Sequence, residues 1–345
     1  MPKPITIIGG GLAGLTLGIG LRQRGVPVTL YEAGKYPRHR VCGEFISGKG
    51  QKSLANLHLL DIIRKADICY AKSVKLFSSS EKSPQHELPQ PALCLSRFVL
   101  DELLAREFQQ LGGKLFFNKR YSGDYSSGIV RATGRHRQAV ANGWRLFALK
   151  AHARHVTMSA DLELHFLPCG YVGLCQLPDG IVNICGLFRS KTTQPNLSQQ
   201  WRLWLSGPKD SPLHQRLSNA SWIDDSFCSI AGLPLYPERD LSSKECSLGD
   251  AYVSIPPFTG NGMSMAFESA ELSLESLHAF SRGELSWTEA QQQSAQACAN
   301  LFRWRLHCST WLQRALFYPP SQTLLFFLNT HAPWLWQKTF ELTRS

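Results

Sequence analysis

The chain has 345 residues, 43% of them hydrophobic, and carries 37 Lys and Arg against 26 Asp and Glu, for a net charge of +11. This length suffices for two domains, or for one nucleotide-binding domain interrupted by another. The basic residues are dispersed and form no arginine-rich helix or RNA-binding motif, which argues against a nucleic-acid partner and leaves an anionic cofactor, an acidic substrate or a membrane surface to use the charge.

The lengths of the apolar segments and the spacing of the cysteines predict the location of the protein and whether it binds a metal. No stretch reaches about 18 uninterrupted apolar residues, and only four residues precede the first predicted strand, so we expect neither a membrane span nor a signal peptide. The ten cysteines form no CxxC pair, and we therefore expect reduced thiols, a cytoplasmic protein and no metal site.

The first predicted element is a buried strand, Ile5 to Ile8, which turns on glycines into a helix that begins near Leu12. Gly9 allows the tight turn, Gly11 lets the backbone approach a pyrophosphate, and Gly14 lets the helix pack close to the strand. The pyrophosphate is expected at the helix N-terminus, where unpaired N–H groups and the helix dipole favour an anion.

A second predicted strand, Val26 to Tyr31, ends in Glu32, whose carboxylate is placed to accept hydrogen bonds from ribose hydroxyls. A simple glycine turn is the alternative reading of the first segment. The register of strand, helix, second strand and terminal acid favours a dinucleotide-binding βαβ unit.

The middle of the chain alternates between helical and strand patterns. The patterns predict, in chain order, a helix over 50–65, two strands between 71 and 95, a helix over 96–111, short strands at 115–117 and 128–134, an antiparallel sheet over 144–190, a helix over 201–217, and helices from 263 to 345 broken at Gly283, Pro319–Pro320 and Pro333. Lys150, His152 and Arg154 share one strand face, which we interpret as a solvated face in preference to an anion pocket.

A second glycine-rich segment returns the chain to the nucleotide domain. It reads Leu248-Gly-Asp-Ala251, followed by Pro256-Pro-Phe-Thr-Gly-Asn-Gly262. A helix that begins at Gly260 to Gly262 would stabilise negative charge on a bound cofactor. The alternatives are an ordinary helix cap at Asp250 and an ordinary loop after it.

These elements predict a mixed α/β fold in which a Rossmann-like, glutathione-reductase-type domain carries an inserted antiparallel sheet and C-terminal helices. The predicted dinucleotide-binding domain is discontinuous, over residues 1–75, 96–140 and 240–285. A substrate domain is predicted over 76–95 and 141–239, and a helical segment over 286–345.

Four blocks of sequence resemble the flavoprotein group that contains para-hydroxybenzoate hydroxylase and the geranylgeranyl reductases. They are the glycine motif with Glu32, the segment from Arg38 to Ser47 with its Cys42-Gly43 pair, the Arg97-x-x-Leu-Asp101 helix, and the Gly249-Asp250 block. The resemblance implies FAD as cofactor, contact of Arg97 with it, and a hydrogen bond from its ribityl chain to Asp250. It also implies a helix N-terminus beneath the isoalloxazine ring.

The residue patterns and the resemblance together identify the candidate site residues. The cofactor-binding candidates are Gly9, Gly11, Leu12, Ala13, Gly14, Glu32, Ala33, Arg40, Cys42, Gly43, Arg97, Thr133, Gly134, Gly249, Asp250, Pro257, Gly260, Asn261, Gly262 and Met263. The catalytic candidates, expected beside the reactive ring, are Pro257, Gly260, Asn261, Gly262 and Cys42. Cys42 reads equally well as a passive buried thiol, and Arg97 has the alternative of a solvated helix residue.

The chain departs from that group at three places. The hydroxylases carry Ala-Asp-Gly where this chain has Ala132-Thr133-Gly134. Two hypotheses for the reductant therefore stay open: direct reduction by NADPH or NADH, or reduction by a separate flavin reductase. Glycine stands at Gly173, where the reductases carry tryptophan, which predicts a roomier pocket. The Trp-x-Trp-x-Ile-Pro signature of flavin-dependent halogenases is absent, and Trp201 to Trp204 reads as a helix.

We therefore expect an FAD-dependent oxidoreductase that acts on a hydrophobic small molecule. Monooxygenation through a flavin hydroperoxide, giving hydroxylation or epoxidation, is the leading prediction. Reduction of a lipid or isoprenoid C=C bond is the alternative, and a non-catalytic nucleotide-binding protein is the alternative from another class. The aromatic and basic C-terminus predicts either peripheral membrane contact or ordinary core packing.

Overall fold

The computed structural model describes residues 1–78, 82–135, 144–191, 197–233, 245–254, 256–257 and 260–317, with positions 321, 326 and 338. Its strands are β1 (Ile5–Ile8), β2 (Val28–Tyr31), β3 (Phe45–Ile46), β4 (Cys69–Phe77), β5 (His86–Cys94), β6 (Lys114–Phe116), β7 (Ile129–Arg131), β8 (Arg145–Arg154), β9 (Leu162–Leu167), β10 (Gly170–Gln176), β11 (Val182–Ser190), β12 (Ser221–Leu233) and β13 (Cys246–Ser247). Its helices are α1 (Leu12–Gln23), α2 (Gly48–Asn56), α3 (Leu60–Arg64), α4 (Arg97–Gln110), α5 (Leu197–Ser206), α6 (Pro212–Leu217), α7 (Gly262–Arg282) and α8 (Trp287–Leu316).

The dinucleotide motif belongs to a five-stranded parallel sheet with the order β13-β7-β1-β2-β6. Strand β1 lies in its centre, and Ile5 and Ile7 are fully buried because parallel strands are covered on both faces. Helix α1 follows directly and packs between α4 and α7, with Gly18 against the Phe108 ring and Gly20 against the Leu274 side chain. The predicted βαβ unit is confirmed.

A second sheet has eight strands in the order β12-β8-β11-β10-β9-β4-β5-β3. Its pairs are antiparallel except β4 with β9, which run parallel, so the sheet is mixed where the sequence predicts antiparallel pairing. The predicted domain boundary at residues 75 and 76 falls inside β4. The two segments predicted as one substrate layer, before residue 95 and after residue 141, thus share a single sheet.

Two predicted helices are each two helices in the structure. The helix predicted over 50–65 breaks between α2 and α3, where His58 adopts a left-handed backbone with φ of 57°. The helix predicted over 201–217 breaks after α5 at Gly207, with φ of 67°, and Pro208. Ser211 then caps the N-terminus of α6, and its hydroxyl accepts a hydrogen bond from the His214 N–H at 3.1 Å.

The break predicted at Gly283 is confirmed, since this left-handed residue ends α7. The breaks predicted at Pro319–Pro320 and Pro333 lie outside the described residues. Among the helices that the structure describes, none is long and apolar enough to cross a membrane.

Candidate functional site

A cavity of about 960 Å³ is lined by residues of both sheets. It extends from the turn after β1, past the start of α7, to the inner face of β10 and β11, where Gly173 and Cys185 border it. This volume is at the upper end of the range typical of ligand sites. The cavity therefore joins the dinucleotide motif to the second sheet.

The glycines of the first motif have separate structural roles. Gly9 has a φ of 111°, and a Cβ there would lie 2.2 Å from the Ala132 carbonyl oxygen. A Cβ on Gly14 would lie 2.0 Å from the Gly9 carbonyl oxygen. A Cβ on Gly11 would meet no atom within 4 Å, because this residue borders the cavity at the N-terminus of α1. The fold requires glycine at Gly9 and Gly14, whereas Gly11 leaves room for a ligand.

Glu32 follows β2 and is buried at the nucleotide end of the cavity. Its Oε1 accepts hydrogen bonds from the Gly34 N–H and the Arg38 guanidinium, both at 2.7 Å, and its Oε2 accepts one from the Gly10 N–H at 2.8 Å. Burial raises the pKa of Glu32, but the Arg38 hydrogen bond and charge and the two backbone donors lower it to about 2. The side chain is a carboxylate with acceptor capacity left on Oε2.

The second glycine segment places a charge pair beside the start of α7. The Asp250 carboxylate accepts a hydrogen bond from the Arg135 guanidinium at 2.8 Å. Arg135 also lies 3.9 Å from the position that a Cβ on Gly262, the first residue of α7, would occupy. Asp250 lies within a short 3₁₀ turn, Gly249–Ala251, and does not cap a helix. The N-terminus of α7 favours an anion at this wall of the cavity, and the Arg135–Asp250 ion pair lies beside it.

Arg97 is the first residue of α4 and borders the cavity. Its guanidinium donates two hydrogen bonds to the Asp101 carboxylate, at 2.6 and 2.8 Å, and its side chain is only 12% exposed. The alternative of a solvated helix residue is therefore wrong. The bidentate pair fixes the guanidinium at the cavity wall.

Cys42 also borders the cavity. Burial raises the pKa of its thiol even though Arg97 lies beside it. Cys42 is consequently a neutral thiol near pH 7 and a poor nucleophile.

All predicted cofactor-binding residues line the cavity except Gly14 and Asn261. Gly14 supports the turn from behind through its contact with Gly9, and Asn261 is buried at the N-cap of α7. The catalytic candidates Pro257, Gly260 and Gly262 border the cavity together with Cys42.

Sequence reasoning missed a buried polar cluster at this site. Glu44 is fully buried, and its Oε2 accepts a hydrogen bond from the His152 Nε2–H at 2.6 Å. The Lys150 Nζ lies 3.2 Å from Glu44 Oε1 and 3.1 Å from the His39 Nδ1. The four side chains form one connected network, the Glu44 cluster, and both Glu44 and His39 border the cavity.

The prediction of a solvated face on β8 is wrong for Lys150 and His152, which are 0% and 4% exposed, and right only for Arg154. A signal was present, because the same strand face continues through Leu146 and Ala148. An apolar start to this face indicates that another layer covers it, and Glu44 lies in that layer.

The ring nitrogens and carboxylate of His39, Glu44 and His152 lie within 4.8 Å of one another, a spacing compatible with a metal ion. The Lys150 Nζ, however, lies 3.1 Å from the His39 Nδ1 and 3.2 Å from the Glu44 Oε1. The cluster thus contains its own cation, which would repel a second one.

The C-terminal aromatic residues differ in their exposure. Trp304 and Trp311, seven residues apart on α8, are 59% and 67% exposed. Phe326 is buried in the core, and Trp334 and Trp336 lie outside the described residues. Trp201 and Trp204 lie on α5, as predicted.

Comparison with known proteins supports this description of the fold. Residues 7–43, which run from the end of β1 through α1 and β2, match the NAD(P)-binding Rossmann-like domain. The flavin-dependent brominase Bmp2 is similar with a TM-score of 0.75 and 17% identity, over 99% of this chain and 93% of its own. A flavoprotein/dehydrogenase from Cytophaga hutchinsonii has a TM-score of 0.76 and 13% identity, over 99% and 95%. A variant of the halogenase PltM, solved in complex with FAD, has a TM-score of 0.75 and 14% identity, over 92% and 77%.

No curated protein matches the sequence. At these identities the structural likeness establishes the fold, a Rossmann-like α/β domain with a second sheet, which this chain shares with flavin-dependent halogenases and other flavoproteins. The descriptions of these three proteins name neither a hydroxybenzoate hydroxylase nor a geranylgeranyl reductase, so that narrower grouping stays a prediction.

Proposed function

We propose that this protein is an FAD-dependent oxidoreductase that acts on a hydrophobic small molecule as a monooxygenase. The observation that carries the proposal is the continuous cavity, because one end meets the dinucleotide motif and the other end meets the second sheet. A long cofactor can therefore bind at the motif and extend its reactive ring toward a substrate held by the sheet.

The residues present fit FAD. Glu32 keeps an acceptor site for a ribose hydroxyl, and Gly11 leaves open space for a pyrophosphate at the N-terminus of α1. Arg40 and Arg97 border the same cavity and can contact the anionic cofactor. The start of α7 offers the partial positive charge of a helix N-terminus to the flavin ring, beside the Arg135–Asp250 pair. FAD, when bound, supplies the two-electron chemistry and the reaction with oxygen.

The lining of the cavity along the second sheet is suited to a hydrophobic substrate. The side chains that border the cavity there are mainly apolar, among them Leu164, Leu174, Leu187 and Ile230. Gly173 adds space, since a Cβ on it would meet its nearest atom at 3.8 Å. The chain's part in the reaction is to exclude water and to orient such a substrate.

The proposed reductant is NADPH or NADH, with a separate flavin reductase as the alternative. Thr133 lines the cavity where the resembling hydroxylases carry aspartate, and its hydroxyl accepts a hydrogen bond from Arg131 at 3.3 Å. An anaerobic visible spectrum, taken before and after addition of NADPH or NADH, separates the two. A yellow protein that bleaches is self-sufficient, whereas one that stays oxidised requires a partner reductase or prior substrate binding.

Reduction of a lipid or isoprenoid C=C bond is the second candidate, and Cys42 is the observation that favours it. A neutral thiol beside the cavity can donate the proton that such a reduction requires. Oxygen consumption coupled to product formation supports monooxygenation, and anaerobic turnover supports the reductase. A colourless protein that cannot be reconstituted with FAD would overturn both and favour a non-catalytic nucleotide-binding protein.

Peripheral membrane contact is a further part of the proposal. The exposed Trp304 and Trp311 share α8 with exposed Arg303 and Arg314, a combination suited to an anionic lipid surface. Co-sedimentation with anionic vesicles, lost on replacement of both tryptophans by serine, tests it. Equal sedimentation of the two forms would refute it.

A further inference from the structure

Glu44 is held in an unusual state. It is 0% exposed and adopts a left-handed backbone with φ of 60°, a conformation that residues other than glycine rarely adopt. Besides Lys150 and His152, its carboxylate accepts a hydrogen bond from the Arg97 N–H at 2.9 Å, on Oε1. Burial raises the pKa of Glu44, but the His152 hydrogen bond and the Lys150 charge bring it below the ordinary value. The carboxylate is thereby held 3.2 Å from the Lys150 Nζ.

The Lys150 contact orders the His39 ring. An ammonium has hydrogens and no lone pair, so at 3.1 Å the His39 Nδ1 must accept and the ring hydrogen must sit on Nε2. The ring stacks on Phe98, with centroids 4.6 Å apart, and borders the cavity. Within the described residues, Nε2 has no hydrogen-bond partner, which leaves it available to a molecule in the cavity.

We propose that His39 is a proton donor to the cavity and that Lys150 resupplies it through the ring. The Nε2–H bond breaks as its proton passes to a basic oxygen or nitrogen of a cavity ligand, and an Lys150 N–H proton passes to Nδ1. The imidazole is neutral before and after, and Lys150 ends as an amine beside the Glu44 carboxylate. Proton uptake from water through the cavity by the reverse path restores the ammonium.

The groups around the ring suit this exchange. Burial and the neighbouring Lys150 and His152 lower the pKa of His39 to about 4, with Glu44 acting in the opposite direction. A free-standing imidazolium is therefore disfavoured, and the ring transmits a proton better than it stores one. Lys150 and Glu44 act through His39 and are positioning residues.

One reaction of the proposed cofactor needs such a proton. When the singly protonated anion of reduced FAD is oxidised by oxygen, two electrons pass to oxygen. Hydrogen peroxide is formed with one proton from the flavin and one from elsewhere. The relay supplies the second proton, and this part of the inference rests on the proposed function.

The first test uses the protein without cofactor, so that it does not depend on FAD. Diethyl pyrocarbonate modifies neutral imidazole, and peptide mass spectrometry measures its rate at His39, with the exposed His58 as internal reference. We expect a rate constant at His39 that is unchanged from about pH 8 to about pH 5, because the ring stays neutral. Lys150→Met removes a positive charge and should raise the pKa of His39, so that labelling slows at the acidic end.

An ordinary titration of wild-type His39 near pH 6.5 would overturn the relay. If His39 is not labelled because Lys150 covers Nδ1, or if Lys150→Met does not fold, ¹⁵N NMR of the wild-type ring decides. Hydrogen on Nε2 supports the relay, and hydrogen on Nδ1 overturns it.

The second test uses the FAD-loaded protein, reduced anaerobically with dithionite and mixed with oxygenated buffer. His39→Asn should slow reoxidation at least about tenfold without changing the Kd for FAD, whereas the surface control His58→Asn should leave both unchanged. Reoxidation at the wild-type rate would overturn the relay while the proposed function stands. Failure to bind FAD would overturn the proposed function, and the labelling result would then decide on the relay alone.

Discussion

Gly11→Ala should weaken FAD binding with little loss of stability, whereas Gly14→Ala should destabilise the fold, although the two glycines belong to one motif. A Cβ on Gly14 would lie 2.0 Å from the Gly9 carbonyl oxygen, against an ordinary contact of at least 3.4 Å. The obstacle is backbone, so α1 must move away from the turn. A Cβ on Gly11 meets nothing within 4 Å and extends into the cavity.

The expected magnitudes follow from these contacts. Overpacking of this kind costs about 1–3 kcal/mol or more, so Gly14→Ala should lower the free energy of unfolding by at least that much. Gly11 already has an extended backbone with φ of −87°, and as an N-cap it should lose less than about 1 kcal/mol on change to alanine. Its methyl group would occupy space assigned to the pyrophosphate, and the Kd for FAD should rise at least about tenfold, or about 1.4 kcal/mol.

Urea unfolding of the cofactor-free protein measures the stability, and fluorescence titration with FAD measures the Kd. Gly173→Ala is the matched control, because it adds a methyl group to the same cavity at the sheet end, where the nearest atom is 3.8 Å away. We expect it to leave the Kd for FAD unchanged. The reasoning is refuted if Gly11→Ala binds FAD as tightly as the wild type, or if Gly173→Ala weakens binding equally.

Three further changes test the charges of the site. The pKa of Glu32 is about 2 in the folded protein and 4.5 ordinarily, so its contribution of about 3 kcal/mol is present above about pH 4.5 and is lost as the pH falls toward about 2. Glu32→Gln should therefore flatten the acid limb of the free energy of unfolding. Arg135→Ala removes the partner of Asp250 and a positive charge, and it should raise the Kd for FAD and weaken the salt dependence of binding. Glu44→Gln leaves the Lys150 ammonium buried without its carboxylate, and urea unfolding should show a loss of about 3–5 kcal/mol.

Two of these predictions have a result that would contradict them, and the third has a matched control. An unchanged acid limb in Glu32→Gln would show that other carboxylates govern acid unfolding. Tighter FAD binding by Arg135→Ala would mean that its ion pair obstructs the cofactor. Glu275→Gln is the control for Glu44→Gln, because the Glu275 side chain is 76% exposed in its pair with Arg24 and should contribute at most about 1 kcal/mol.

The sequence by itself was sufficient to predict the structure of the nucleotide end of the cavity. The strand from Ile5, the turn at Gly9 and the acid at Glu32 are close along the chain, and their geometry follows from local backbone preferences and hydrophobic periodicity. For the same reason the start of α7 at Gly262 could be predicted. Helix interruptions such as His58 were missed because a single left-handed residue carries a weak signal.

Only the tertiary structure decided which groups meet at the sheet end of the cavity. Lys150 and His152 lie more than 100 residues from the side chains of His39 and Glu44 that they contact. On a single strand a lysine and a histidine read as solvated, and the apolar start of their face at Leu146 and Ala148 indicates a covering layer without identifying it. Packing of the segment from His39 to Glu44 against β8 removes these groups from water. A buried polar or charged group is unfavourable without a partner, and these groups are therefore paired with one another.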